Sequence, residues 1–171
     1  QLDFLVEDSS DLAVVLKKGT VWVEDWESSV VVQMGSGDIN LRNTGAFKVA
    51  CDRCNVTGEN VSGPLSFDMQ MGNVGIVGLT ERVEGSTLGD VVLEWKRMPK
   101  LNATPIQVYT RLGDIILSFP DRAQVNVDAK TKRGEVTTKH DSVGQGFPIN
   151  VIADAGNVRI LKAKPNSELN N

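Results

Sequence analysis

The sequence predicts an all-β solenoid, a stack of roughly eight units of about 20 residues wound as one domain over 171 residues. Three observations carry this. Valine is the commonest residue at 23, against 14 leucines and 9 alanines, and glycine stands at 16, so β-branched and turn-forming residues outnumber helix formers. A Gly-polar-(Ile/Val) tripeptide recurs along the chain. Between its copies the residues alternate apolar and polar with the period of a strand.

The tripeptide appears as Gly19-Thr20-Val21, Gly37-Asp38-Ile39, Gly72-Asn73-Val74, Gly89-Asp90-Val91, Gly113-Asp114-Ile115, Gly134-Glu135-Val136 and Gly156-Asn157-Val158. Its glycines are 18, 35, 17, 24, 21 and 22 residues apart. The interval of 35 holds two units, with Ser62-Gly63-Pro64-Leu65 as a degenerate copy. Each glycine permits a tight bend, the polar residue bonds the local backbone, and the next Ile or Val begins an inward-facing strand. A β-sandwich is the alternative. It does not need the same tripeptide at the start of every unit, whereas stacked rungs do, because each turn must repeat above the last. At the usual strand spacing, eight rungs make a body about 40 Å long.

Taken in order, residues 1–18 read as N-terminal lead-in and cap strands, with Phe4-Leu5-Val6 and Leu12 to Leu16 flanking an Asp8–Asp11 turn. Residues 19–162 form the repeat body. Its strands include Ile39-Asn40-Leu41, Val91-Val92-Leu93-Glu94-Trp95, Ile115-Ile116-Leu117-Ser118-Phe119, Val125-Asn126-Val127-Asp128-Ala129 and Ile149-Asn150-Val151. The longest insertions, around Lys96–Thr104 and Lys139–Phe147, are brief, and residues 163–171 are a polar tail.

The net charge of −4 gives no reason to expect nucleic acid, and no apolar run approaches the roughly 18 residues of a membrane span. No signal peptide is visible; the opening at Gln1 suggests a trimmed or mature exported form. A single histidine, His140, leaves little material for histidine catalysis or a histidine metal site. The Cys51-Asp52-Arg53-Cys54 pair has three readings: two thiols in or near the core, which is favoured, a local disulfide, or a redox dithiol. Zinc would need four ligands, and neither a second Cys pair nor a His pair is available.

Lys130, Lys132, Arg133 and Lys139, with His140, gather around one turn as a candidate site for an acidic glycan, lipid head group or acidic partner, beside Glu135 and Asp141. Asp38, Asp90 and Asp114 could stack as a cation ladder. Thr20, Asn73, Glu135 and Asn157 occupy the same position, however, and share turn chemistry rather than charge. Of Trp22, Trp26 and Trp95, Trp22 lies between Val21 and Val23 and so faces outward, where it could stack on a sugar or anchor an interface; a tryptophan covering the open end of the solenoid as a cap is the equal alternative. Asn55, Asn60 and Asn102 each begin an N-x-S/T sequon.

The stretch Gly113–Pro120 followed by Val125–Val136 resembles the bacterial adhesin-like β-strand-repeat family, a toastrack-like group of unknown function. Shared features are the recurring G-D-I/V units, a strand ending in Pro before V-x-V-x-A-x-T-x-x-G-x-V, and a last unit similar to Ala155–Ile160. The resemblance spans about residues 12–162 and is strongest from 89 to 160. It implies a solenoid on the bacterial cell envelope or secreted, with no catalytic residue, cofactor or metal to carry over. The expected function is a non-catalytic scaffold or binding module for protein or glycan. The alternative is a polysaccharide-acting β-helix enzyme using clustered carboxylates such as Asp90 and Asp114. Acidic residues 7–11 and the Lys162–Lys164 tail with Pro165 read as edge caps, which predicts a monomer.

Overall fold

A computed structural model describes residues 10–101, 103–140 and 144–163. The described residues form a β-solenoid of thirteen strands, all paired in parallel, making eight rungs. The first three rungs are each one long strand bent at the glycine corner: β1 (Leu12–Trp26), β2 (Val30–Thr44) and β3 (Phe47–Val61). Later rungs break there into two strands. These are β4 (Leu65–Met71) with β5 (Val74–Leu79), β6 (Val83–Thr87) with β7 (Val91–Trp95), and β8 (Ile106–Thr110) with β9 (Ile115–Phe119). The last two in sequence are β10 (Val125–Arg133) with β11 (Val136–Thr138), and β12 (Phe147–Ala155) with β13 (Val158–Lys162). Residues 12–18, read from the sequence as part of a lead-in, are the first half of rung one. Phe4-Leu5-Val6 and all of the tail except Ala163 lie outside the described residues.

Alternation sends one set of side chains into a single shared core. In β2, Val30, Val32, Met34, Ile39, Leu41 and Thr44 are buried, while Gln33 and Arg42 face out. The buried residue opening each strand donates its N–H onward to the next rung: Val56 to Asn73 O, Val74 to Asp90 O, Val91 to Asp114 O.

The stack does not follow sequence order at its far end. Ile115 donates to Asn157 O, and Val158 to Glu135 O, both at 2.8–2.9 Å. The final unit, β12–β13, is therefore inserted between β8–β9 and β10–β11. Side-chain chemistry explains the swap. Ile149, Val151, Ala153, Val158 and Ile160 of the last unit are all fully buried and need a rung on both sides. Of the equivalent Val127, Ala129, Thr131, Val136 and Thr138, four are smaller or more polar than their partners, and Val136 alone remains an exposed valine at the end of the stack. Lys162, where the tail read as a cap begins, thus lies on the inserted unit and not on the end rung, while Lys164 and Pro165 lie outside the described residues. Lys162 pairs with Asp121, and Ala163 N–H donates to Phe119 O.

Eight residues line up at the glycine corner: Gly19, Gly37, Cys54, Gly72, Gly89, Gly113, Gly156 and Gly134. All seven glycines of the sequence motif are present. The missing copy is Cys54-Asn55-Val56; Ser62-Gly63-Pro64-Leu65 falls at the opposite corner, half a rung away. Backbones pass so close here that a methyl on Gly113 would overlap the backbone of Gly89. At Gly72 the positive φ of 126° adds a second reason for glycine. A further corner holds Asp25, Asn43, Asn60 and Gly78 in left-handed conformation, the residue types that tolerate it best.

Candidate functional site: the outer face of the first sheet

The strands before the glycine corner form the first sheet. Along its outer face one position per rung makes a row: Val15, Gln33, Ala50, Asp68, Ser86, Tyr109, Ile152 and Lys130. Two shallow grooves lie end to end on this row and share Asp68. The first, about 390 Å³, is bordered by Val15, Gln33, Asp52 and Gln70. The second, about 420 Å³, is bordered by Glu84, Ser86, Gln107, Tyr109 and Asn150. Gly85 lies against its floor, where an added methyl would enter the Phe67 ring on the neighbouring rung. The missing side chain leaves room for the Phe67 ring over the neighbouring rung.

The second groove is lined by groups that both donate and accept. Asp68 Oδ1 accepts from Ser86 Oγ at 3.1 Å, while Glu84, Gln107 and Asn150 are exposed. At its edge, Tyr109 OH donates to Asp154 Oδ2 at 2.7 Å, and Lys132 Nζ lies 2.8 Å from Asp154 Oδ1. Lys132 and Tyr109 together hold the Asp154 carboxyl below its usual range. The same hydrogen bond pushes the Tyr109 phenol up, and the hydrogen bond to Asp154, helped by its charge, pushes the Lys132 ammonium up. The triad crosses three rungs, β8, β12 and β10, and ties the inserted rung to both neighbours.

The basic residues singled out in the sequence do not form one patch. Lys130 pairs with Asp128 at 2.7 Å and Lys132 with Asp154. Arg133 is exposed beside the glycine corner, whereas Lys139 lies past the far end of β11, its N–H bonded to Ile160 O. A run close in sequence is spread over about half a rung because the chain turns the corner between Arg133 and Lys139. His140 is buried beneath this segment, with Nε2 3.3 Å from Phe119 O and its ring edge-on to Phe119, which stacks on Trp95 at 4.8 Å.

The polar residue after each corner glycine forms a ladder. Asp90 N–H donates to Asn73 Oδ1, Asp114 N–H to Asp90 Oδ1, and Asn157 N–H to Asp114 Oδ1, at 2.7–2.9 Å. Glu135 N–H continues it to Asn157 Oδ1, and Asn55 Nδ2 donates to Asp38 Oδ1. The carboxylates of Asp90 and Asp114 are thus turn acceptors at a corner, away from either groove.

Cys51 and Cys54 form a disulfide, with Cα atoms 6.0 Å apart. The structure replaces the favoured reading of two free thiols. Cys51 faces inward from its strand, and Cys54, at the corner, turns its side chain into the core beside it. Trp22 is exposed, as its alternation predicts, whereas Trp26 and Trp95 are buried. Residues missed from the sequence are those of the second groove. They sit on four rungs, and only the stacking register, which no motif encodes, brings them together.

No family model, curated protein or solved structure matches this chain.

Proposed function

We propose that this chain is a non-catalytic β-repeat scaffold of a bacterial cell envelope that binds a glycan along the outer face of its first sheet. The observation that carries the reading is the second groove. It is open and of mixed lining, with the carboxylates of Asp68 and Glu84 as acceptors and the amides of Gln107 and Asn150 as donors and acceptors for sugar hydroxyls, beside the ring of Tyr109 and the exposed Ile152. The first groove extends the same track, which suits a polymer better than a small molecule. The envelope placement rests on the adhesin-like resemblance of residues 89–160. A disulfide in the core, of a kind that persists in oxidising compartments, also supports it.

Titrating the isotope-labelled chain with envelope polysaccharide fragments tests this. Amide shifts confined to residues 66–68, 84–86, 107–109 and 150–152, and lost in Gln107→Ala with Asn150→Ala, are expected. Shifts elsewhere, or none at millimolar sugar, reject it. New reducing ends on the added polysaccharide would favour the enzyme reading instead.

A further inference from the structure

One corner carries a side chain. At six of the seven corner glycines, Gly37, Gly72, Gly89, Gly113, Gly134 and Gly156, an added methyl would overlap backbone of the next rung toward β1. Cys54 stands in that row and has a Cβ. Gly37 and Gly72 on either side of it hold φ of 143° and 126°, whereas Cys54 does not adopt a positive φ and is turned into the core, where it meets Cys51. We propose that the Cys51–Cys54 bond takes the place of the missing corner glycine, and that closing it completes the first groove. The effect on binding rests on the reading of the grooves as a glycan track; the clasp itself does not.

Exposure sets the order of the chemistry. Cys51 is 6% exposed and lines the first groove, whereas Cys54 is 2% exposed and does not. A disulfide oxidant therefore meets Cys51 first. The Cys51 thiolate attacks one sulfur of the oxidant and expels the other as a thiolate. The Cys54 thiolate then attacks the Cys51 sulfur of the mixed disulfide and expels the second. Two electrons and the two cysteine protons pass to the oxidant, which leaves as thiols.

Before that step the corner cannot sit as it does in the closed form. Met34 and Met69 lie in register on either side of Cys51, and both are buried, so the core offers no extra room. Two unbonded sulfurs need van der Waals separation, which presses Cys54 back toward the corner, where the backbones pass too closely for a Cβ. Asp52 and Arg53, between the two cysteines, move with it. Asp52 borders the first groove and accepts from Gln70 Nε2 at 3.2 Å. The second groove contains no residue from 51 to 54. Oxidation thus acts on one groove and leaves the other as it was. A chain that reaches an oxidising compartment completes its track there.

Hydrogen exchange of the full chain, with both cysteines shown to be free thiols under a dithiol reductant, tests this. Amides of residues 50–56 and 69–73 should exchange at least about tenfold faster than in the oxidised chain, with 84–86, 107–109 and 150–152 unchanged. The thermal midpoint should fall by about 5 °C. Cys51→Ala with Cys54→Gly should keep the oxidised midpoint under reductant, and Cys51→Ala with Cys54→Ala should not. Sugar fragments short enough to fill only the second groove should bind both forms equally, while intact envelope polysaccharide should bind the reduced form at least about tenfold more weakly. A pair that no dithiol reduces, an unchanged exchange pattern, loss of the whole fold on reduction, equal midpoints for the two double variants, or equal polysaccharide binding by both forms would overturn the proposal. If neither form binds any sugar, the glycan reading falls, and the exchange and midpoint results still decide the clasp.

Discussion

Tyr109 and Asp154 stand 45 residues apart in sequence, yet the tyrosine hydroxyl donates to the aspartate at 2.7 Å because the final rung is stacked directly on β8. Lys132, from the rung beyond, completes the contact on the other carboxylate oxygen. The three side chains report on the order of rungs as well as on the groove they border.

Tyr109 is the only tyrosine, so the ultraviolet tyrosinate band follows it alone. Its phenol is raised above the ordinary value by the hydrogen bond to Asp154. A group raised on folding contributes stability that is full below its unfolded pKa and lost as pH rises through the folded one. The expected titration therefore lies above that of a free tyrosine, and Asp154→Asn moves it down. A midpoint unchanged by Asp154→Asn would show that the contact does not form.

Asp154 shifts the opposite way, held low first by Lys132 and then by Tyr109. Its contribution is present above the unfolded aspartate pKa and is lost as pH falls through the depressed folded one. Wild type should therefore lose more stability than Asp154→Asn between mildly acidic pH and strongly acidic pH. Parallel urea unfolding curves for the two proteins across that range would reject this.

Glycine substitutions should divide sharply. Gly113→Ala drives a methyl into the Gly89 backbone, and nothing flexible can yield, so a loss of about 3 kcal/mol or more is expected. Gly75 is in a strand with no atom within 4 Å of an added Cβ. Gly75→Ala should be neutral or stabilising by roughly 0.5 kcal/mol, through the unfolded chain. Denaturant midpoints that fall equally for both variants would contradict the close-packed corner.

Hydrogen exchange distinguishes spatial from sequence order. β12 and β13 are paired on both sides, whereas among the described residues β11 is paired only with β13. Amides of residues 136–138 should exchange at least about tenfold faster than those of 158–160. Exchange that begins instead at 158–160 and spares 136–138 would restore a sequential stack.

Much of the architecture was legible in the sequence because it is local. A glycine, a polar acceptor and a β-branched residue define each corner within three positions, and period-two alternation defines the inward face. Even Cys54-Asn55-Val56 keeps the polar and apolar members of the motif; only the glycine is replaced, which leaves Gly63, half a rung away, as the only glycine of that unit matching the motif in part. The outward face of Trp22 followed from the same alternation. The disulfide was less legible, since residues three apart reach each other only when the corner turns both side chains inward.

Stacking order, and everything that depends on it, was decided by tertiary structure. One rung's motif is the same whichever neighbour it meets, so spacing cannot say that β12–β13 enters between β8–β9 and β10–β11. Burial decides that: Ile149, Val151, Val158 and Ile160 leave water only with a rung on each side, while Thr131 and Thr138 can remain at the end. The sequence by itself determined the repeating turn and the inward face. Which residues share the groove, and where the basic run is divided, followed from hydrophobic contacts between segments far apart in the chain.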